Sequence, residues 1–422
     1  MRRRLIAVAT AALVSTLSVI PAANADLKQS AVVSANPSNS TPHVLDGTVR
    51  AIAVVGTKVV VGGNFEKVRE AGTGKPEIAR HNIFAFDAAT GKVDATFKPK
   101  LDGTVYALQP GPSNTVYAGG SFAFVNGVGL GALAQLKVPA GTAVTTFKPR
   151  VGGGLVFTMV RRNANIYIGG KFTKVATKPR TMLARVNATT GAVDDNFNLA
   201  VSTPRQGELK VFNLAVNPQD TRLLINGTFT KVAGQRRYQI AMIDTTKKPV
   251  ALTTWATERY ATPCNINAFD TYMRGMDFAP DGSYFVVVTT GGPGGTTQLC
   301  DTAARWETAK TGSGQQPTWV NYTGGDTLLS VSVTGAAVYV GGHQRWQDNP
   351  QGRDFAGPGA VSRPGIAALE PLKGKALAWN PTRTRGHGVE ALVATPTGLW
   401  VGSDTDQLGK EYHGRVGFFP LP

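Results

Sequence analysis

Apolar residues fall in short runs set apart by Gly, Asp, Asn and Pro, and one such run keeps returning along the chain. It reads Val59-Val60-Val61-Gly62-Gly63-Asn64-Phe65, then Val116-Tyr117-Ala118-Gly119-Gly120-Ser121-Phe122 and Ile166-Tyr167-Ile168-Gly169-Gly170-Lys171-Phe172. A fourth copy is Leu223-Leu224-Ile225-Asn226-Gly227-Thr228-Phe229, and looser ones end at Gly292, His343 and Asp404. The second small residues stand at 63, 120, 170, 227, 292, 342 and 403, at intervals of 57, 50, 57, 65, 50 and 61. Four Val-, Ile- and Phe-rich runs fit each interval: 49–55, 58–63, 81–87 and 93–98 in the first. They return at 105–109, 115–120, 132–137 and 143–148, at 156–161, 165–170, 182–187 and 193–198, and at 211–216, 222–227, 239–244 and 249–255. The fifth unit spans 273–321, the sixth 328–379, and the seventh runs from 389 to the end. Helical periodicity is weak throughout.

Antiparallel units of four strands, repeated seven times at this period, predict an all-β, seven-bladed β-propeller over residues 26–422. Radial closure also explains how so many sheets avoid open edges. The seventh unit stops after its third strand, 415–419, so an N-terminal strand at about 31–37 is expected to complete the last blade. First-to-second and third-to-fourth turns are short, whereas second-to-third and fourth-to-first connections are mostly longer, as at 66–80, 256–271 and 344–364. In an antiparallel meander these two sets lie at opposite ends. Function is expected at the end that carries the long loops.

Arg2-Arg3-Arg4, an apolar run from Leu5 to Ile20 and Ala23-Asn24-Ala25 read as a secretory signal peptide over residues 1–25. The alternative, a membrane anchor, suits the short run less well. The signal carries three arginines and no acid, so its removal lowers the formal charge from +17 to +14. A basic exported chain points to acidic partners, namely an envelope polymer, an acidic glycan or a protein. Neither a specific nucleic acid nor a transmembrane segment is expected in the mature chain, which is read as a monomer. Cys264 and Cys300 are the only cysteines, and in an exported protein such a pair reads as a disulfide. Each lies 18 residues from Gly282 in the Pro280-Asp281-Gly282-Ser283 turn, so a hairpin there brings them opposite one another.

The Gly-Gly-x-Phe-x-x-Val corner (Phe65 to Val68, Phe172 to Val175, Phe229 to Val232) precedes an Asp-x-x-Thr-Gly turn and a Val-Asp-x-x-Phe run (Asp87 to Phe97, and Asn187 to Phe197 with Asn first). With these motifs the chain resembles the delta-60 repeat family of β-propellers, and the last two units resemble those of secreted actinobacterial members. The resemblance implies the fold and no particular reaction. The Asp87-x-x-Thr90-Gly91 turn also looks like turns of quinoprotein propellers, which raises an oxidoreductase alternative. The adjacent cysteine pair and calcium site of those enzymes are not recognisable here.

The repeated glycines read as scaffold. The sixth and seventh units break the pattern in a polar direction, with His343-Gln344-Arg345-Trp346 and Asp404 with Asp406 where other copies place Phe. Arg363, Arg383, Arg385 and His387 lie on neighbouring loops. This Arg/Trp/His/Asp set suits a carboxylated, phosphorylated or sugar ligand. Its alternative role is to tie long loops together. No Gly-x-Ser-x-Gly, His-Glu-x-x-His, P-loop or Rossmann pattern is present, so no catalytic residue, metal or cofactor is assigned. The expected function is an exported binding module for an anionic or carbohydrate ligand of the cell envelope. The alternative is a hydrolase or lyase acting on envelope polysaccharide, for which paired acids would be needed.

Overall fold

The apolar runs fold as strands, and in a computed structural model describing residues 27–265 and 267–422 no described residue is helical. The signal-peptide reading of residues 1–25 lies outside the described residues.

The first sheet orders Val49–Val55, Lys58–Gly63 and Ile83–Asp87 as an antiparallel meander. The same arrangement recurs from Val105–Gly111, Leu155–Arg162, Val211–Val216, Met273–Phe278, Leu328–Val333 and Val389–Thr395, each the first strand of its sheet. Each of these inner strands packs on the next, and Val389–Thr395 packs in turn on Val49–Val55. The glycine pair makes this packing possible. A Cβ on Gly62 would stand 2.6 Å from Val105 Cγ1, and one on Gly402 2.6 Å from Val49 Cγ1. The first glycine of the pair is thus the slot for the neighbouring inner strand, and a side chain there would push the sheets apart.

Among the described residues a regular fourth strand forms in two sheets, as Ala251–Leu252 and Trp319–Tyr322. At 93–98, 143–148 and 193–198 the expected strand shrinks to single bridges, Phe86 to Val93, Leu136 to Ala143 and Val186 to Val193. The reason is local competition: Asp94 Oδ1 accepts from Thr96 N at 2.9 Å and Phe97 N at 3.2 Å, curling the chain away from the ladder. The expected N-terminal strand also falls short of a ladder. Ser34 N and Ser38 N donate to Pro420 O and Phe418 O, both at 2.8 Å, so the segment runs along the final strand, Val416–Pro420. Between them Pro37 has no N–H, and Asn36 N turns to Ser34 Oγ.

The long second-to-third connections are themselves built as short hairpins, among them Lys174–Val175 with Lys178–Pro179 and Trp346–Gln347 with Val361–Ser362. The two cysteines form a disulfide with Cα atoms 5.8 Å apart. It joins the loop before Met273–Phe278 to the loop after Tyr284–Thr289, and the turn between these strands has Gly282 at φ +74.

Candidate functional site

Every inner strand slips its register once, near its start, between Val49 and Ala51, 105 and 107, 156 and 158, 211 and 213, 273 and 276, 328 and 330, and 389 and 391. A bulge re-aims the residue it skips. The skipped residues include Arg50, Tyr106, Phe157, Phe212, Arg274, Leu329 and Glu390, all half-buried, and all line one central cavity of about 520 Å³. Because strands begin at the end where the long connections lie, these residues form a ring at the loop-bearing mouth.

Contacts run around this ring. Arg50 Nη1 lies 3.3 Å from Glu390 Oε1, and its guanidinium sits 5.6 Å from the Tyr106 ring centroid. Tyr106 meets Phe157 edge-on at 5.4 Å, Phe157 lies 5.9 Å from Phe212, and Arg274 stands over Phe212 at 5.1 Å. The far side of Arg274 faces Phe269 at 5.6 Å. Its Nη1 donates to Thr271 O at 2.9 Å and Met273 O at 2.8 Å. Among the described residues no carboxylate comes within ion-pair distance of it. Burial lowers its pKa, with the charges of Glu390, Asp270 and Asp301 opposing.

The residues singled out in the sequence stand beside this mouth, and most of them come together around one buried acid. Asp326 Oδ2 accepts from Arg345 N and Nε, and Oδ1 from Arg345 Nη2 and Arg385 Nη2, all at 2.9 Å. Arg385 Nε reaches His343 O at 2.8 Å. His343 Nδ1–H donates to His387 O at 3.2 Å while Nε2 accepts Thr327 N at 3.3 Å, so both ring nitrogens are engaged. Burial first, and then the charge of Arg385, hold its pKa below the ordinary value. His387 Nδ1 lies 3.1 Å from Glu390 Oε1, which links this cluster to the ring, and that hydrogen bond raises its pKa.

Asp404 closes the next loop, accepting from His387 N at 2.6 Å, Gly388 N at 3.0 Å and Arg383 Nη2 at 3.2 Å. Burial alone would raise its pKa; these donors outweigh it and bring it below the usual carboxylate range. Arg383 also donates from Nη1 and Nη2 to carbonyls, including Arg385 O at 2.7 Å, while its Nε has no hydrogen-bond partner among the described residues. Asp406 stays exposed, 3.8 Å from Arg415. Arg345 lies over Trp346 at 4.3 Å. The Gln344 side-chain amide is fully buried and has no hydrogen-bond partner among the described residues. Arg363 stands apart from the cluster, donating to Ser362 O and Leu377 O. The same clamp recurs at Arg80 (Ala79 O, Asp94 O), Arg180 (Pro179 O, Asp194 O) and Arg237 (Arg236 O, Thr253 O). Arg363 is therefore the sixth unit's copy of a repeat feature.

Two elements were missed from the sequence. The ring is one, although each member has a trace: a large residue just after the first apolar residue of an inner strand, followed in most copies by a small one (Val49-Arg50-Ala51, Val389-Glu390-Ala391). Asp301 is the other. It is 1% exposed, forms no ion pair among the described residues, and burial, then the charge of Asp326, pushes its pKa up to about 8. Among the described residues no group of three or more His, Cys, Asp or Glu is placed to hold a metal.

A family described as a domain of unknown function (DUF5122) beta-propeller matches residues 165–197. That stretch spans one glycine pair and the turn after it. In structure the chain is similar to the RRP9 WD40 repeats, at 9% identity and a TM-score of 0.53 over 92% of this chain and 100% of that one. It is also similar to the WD40 beta propeller domain of Doa1, at 10% identity and a TM-score of 0.50 over 92% and 97%. The fold is of the β-propeller type. No curated protein matches the chain.

Proposed function

We propose that the chain is an exported binding module, residues 1–25 serving as signal and 26–422 forming one seven-bladed propeller of delta-60 repeats closed by its N-terminal segment. Its long-loop face takes an anionic or carbohydrate polymer of the cell envelope. The contact from Val389–Thr395 back to Val49–Val55 supports the closed count of seven. A disulfide suits an oxidising compartment.

The observation that carries the ligand reading is a rim of exposed cations on the long connections of the first four units: Lys98, Lys100, Lys148, Arg150, Lys174, Lys231 and Arg236. Among the described residues none of them forms an ion pair, unlike Lys178 and Arg180, which share Asp195. Unpaired exposed charge costs little to present and attracts a polyanion over a long range. The cluster of His343, Arg345, Trp346, Arg385 and Asp404 lies on long connections of the sixth and seventh units, and we assign it to the same binding face. Binding to acidic envelope glycans should be measurable at low salt and fall at high salt. A Lys148→Glu, Arg150→Glu, Lys174→Glu variant should lose it while melting normally. Equal binding by variant and parent sinks the reading.

A further inference from the structure

We propose that the mouth of the central cavity is a second site, separate from the cationic rim, for a small ring-bearing monocarboxylate anchored on Arg274. Three observations converge. First, the mouth holds Arg50, Glu390 and Arg274, and Arg50 and Glu390 pair with each other, leaving Arg274 without an ion pair among the described residues. A desolvated, unmatched cation is costly to a fold that makes no use of it. Second, Arg274 is held in one orientation. Phe212 and Phe269 flank its guanidinium, two backbone carbonyls fix Nη1, and Nε and Nη2 donate to nothing among the described residues. A fork fixed in this way accepts a carboxylate with little further loss of entropy. Third, the rings of Tyr106, Phe157 and Phe212 follow one another from Arg50 to Arg274 and remain half-open to the cavity. They offer faces to a planar or pyranose ring. About 520 Å³ is room enough for such a molecule.

Aromatic acids and uronic acids share this chemistry, so both serve as probes. Calorimetric titration of the full chain at constant ionic strength would compare phenylacetate with phenylacetamide and glucuronate with glucose. At least one carboxylate should bind, and its neutral counterpart should bind about 10- to 100-fold more weakly, the scale of a hydrogen bond to a charged group. Arg274→Gln should lose the same factor. Glu390→Gln removes the opposing charge and should tighten binding severalfold, a gain that misfolding cannot produce. The rim variant with three glutamates should bind the small acid as the parent does. The proposal is overturned if neither carboxylate saturates the protein, if acid and neutral analogue bind alike, or if Glu390→Gln fails to tighten binding.

Discussion

Replacing Asp301 by Asn tests the electrostatics around the mouth most directly. Asp301 is 1% exposed, and its carboxylate forms no ion pair among the described residues. Burial and the charges of Asp326 and Asp354 disfavour its ionisation, and the Gly292 amide and Arg274 only partly offset them. Its pKa rises from 3.8 to about 8. Below pH 3.8 the proton is bound in both folded and unfolded chains, and no stability difference arises. Between about pH 4 and 8 the unfolded chain has lost the proton and the native chain keeps it. The native state then binds more protons, so this group makes stability fall as pH rises, by about 1.4 kcal/mol per pH unit. Above about pH 8 both states are ionised and the loss levels off, with a ceiling of about 6 kcal/mol for the whole displacement. Asp301→Asn cannot titrate and lacks this slope. Its stability relative to the parent should therefore grow by about 3 kcal/mol from pH 5 to pH 7. Urea unfolding at pH 5, 6 and 7 reads this directly. Parallel stability curves for the two proteins would refute the reasoning, because they would mean that Asp301 ionises as readily in the fold as out of it.

Removing the disulfide with Cys264→Ser and Cys300→Ser frees a loop of 36 residues and should cost about 4 kcal/mol in urea unfolding; a cost near zero would mean the loops are held by other contacts. Deleting residues 27–38 takes Val33 out of the core and removes both backbone bonds to the final strand. The melting temperature should drop by several degrees, and an unchanged value would refute a closing role. Asp404→Asn leaves the buried Arg383 without its counter-charge and should cost about 3 kcal/mol, measured by the same unfolding; a cost below about 1 kcal/mol would show that the carbonyls around Arg383 suffice alone.

The scaffold was readable because its packing constraint recurs. In five of the units the Cβ has vanished where the neighbouring inner strand fits, and Gly62, Gly119, Gly169, Gly341 and Gly402 mark those places in the sequence; Asn226 and Val288 stand there in the other two. The outer strands were less readable. Val93 to Lys98 has strand composition, but the Asp94 carboxylate bonds the backbone just ahead and wins over the ladder. Around the site, the break at His343 and Asp404 did indicate which loops meet. It did not show that Asp326 lies at their centre, since an acid just before a strand looks like ordinary turn chemistry until two arginines are seen to close on it. The ring was hidden for another reason. Its members are single residues 51 to 62 positions apart and of different chemical types, so neither motif nor composition connects them.

A repeat protein carries its own internal control, and it separates the arginines into two kinds. Arg80, Arg180, Arg237 and Arg363 occur at equivalent places and make equivalent bonds to carbonyls, so their presence is explained by the blade alone. Arg274 occupies a position where other units place Tyr106, Phe157, Phe212 or Leu329, side chains that can fill the bulge without charge. The scaffold therefore has no need of a cation there. Arg50 is the other cation in the ring, and Glu390, itself in a bulge, answers it at 3.3 Å. Only at Arg274 does the ring leave a cation without an ion pair among the described residues. An unmatched, half-buried guanidinium between two phenyl rings lowers stability unless something else meets it. That imbalance, more than the polar loops around His343, makes the mouth of the cavity the place where a ligand has most to offer.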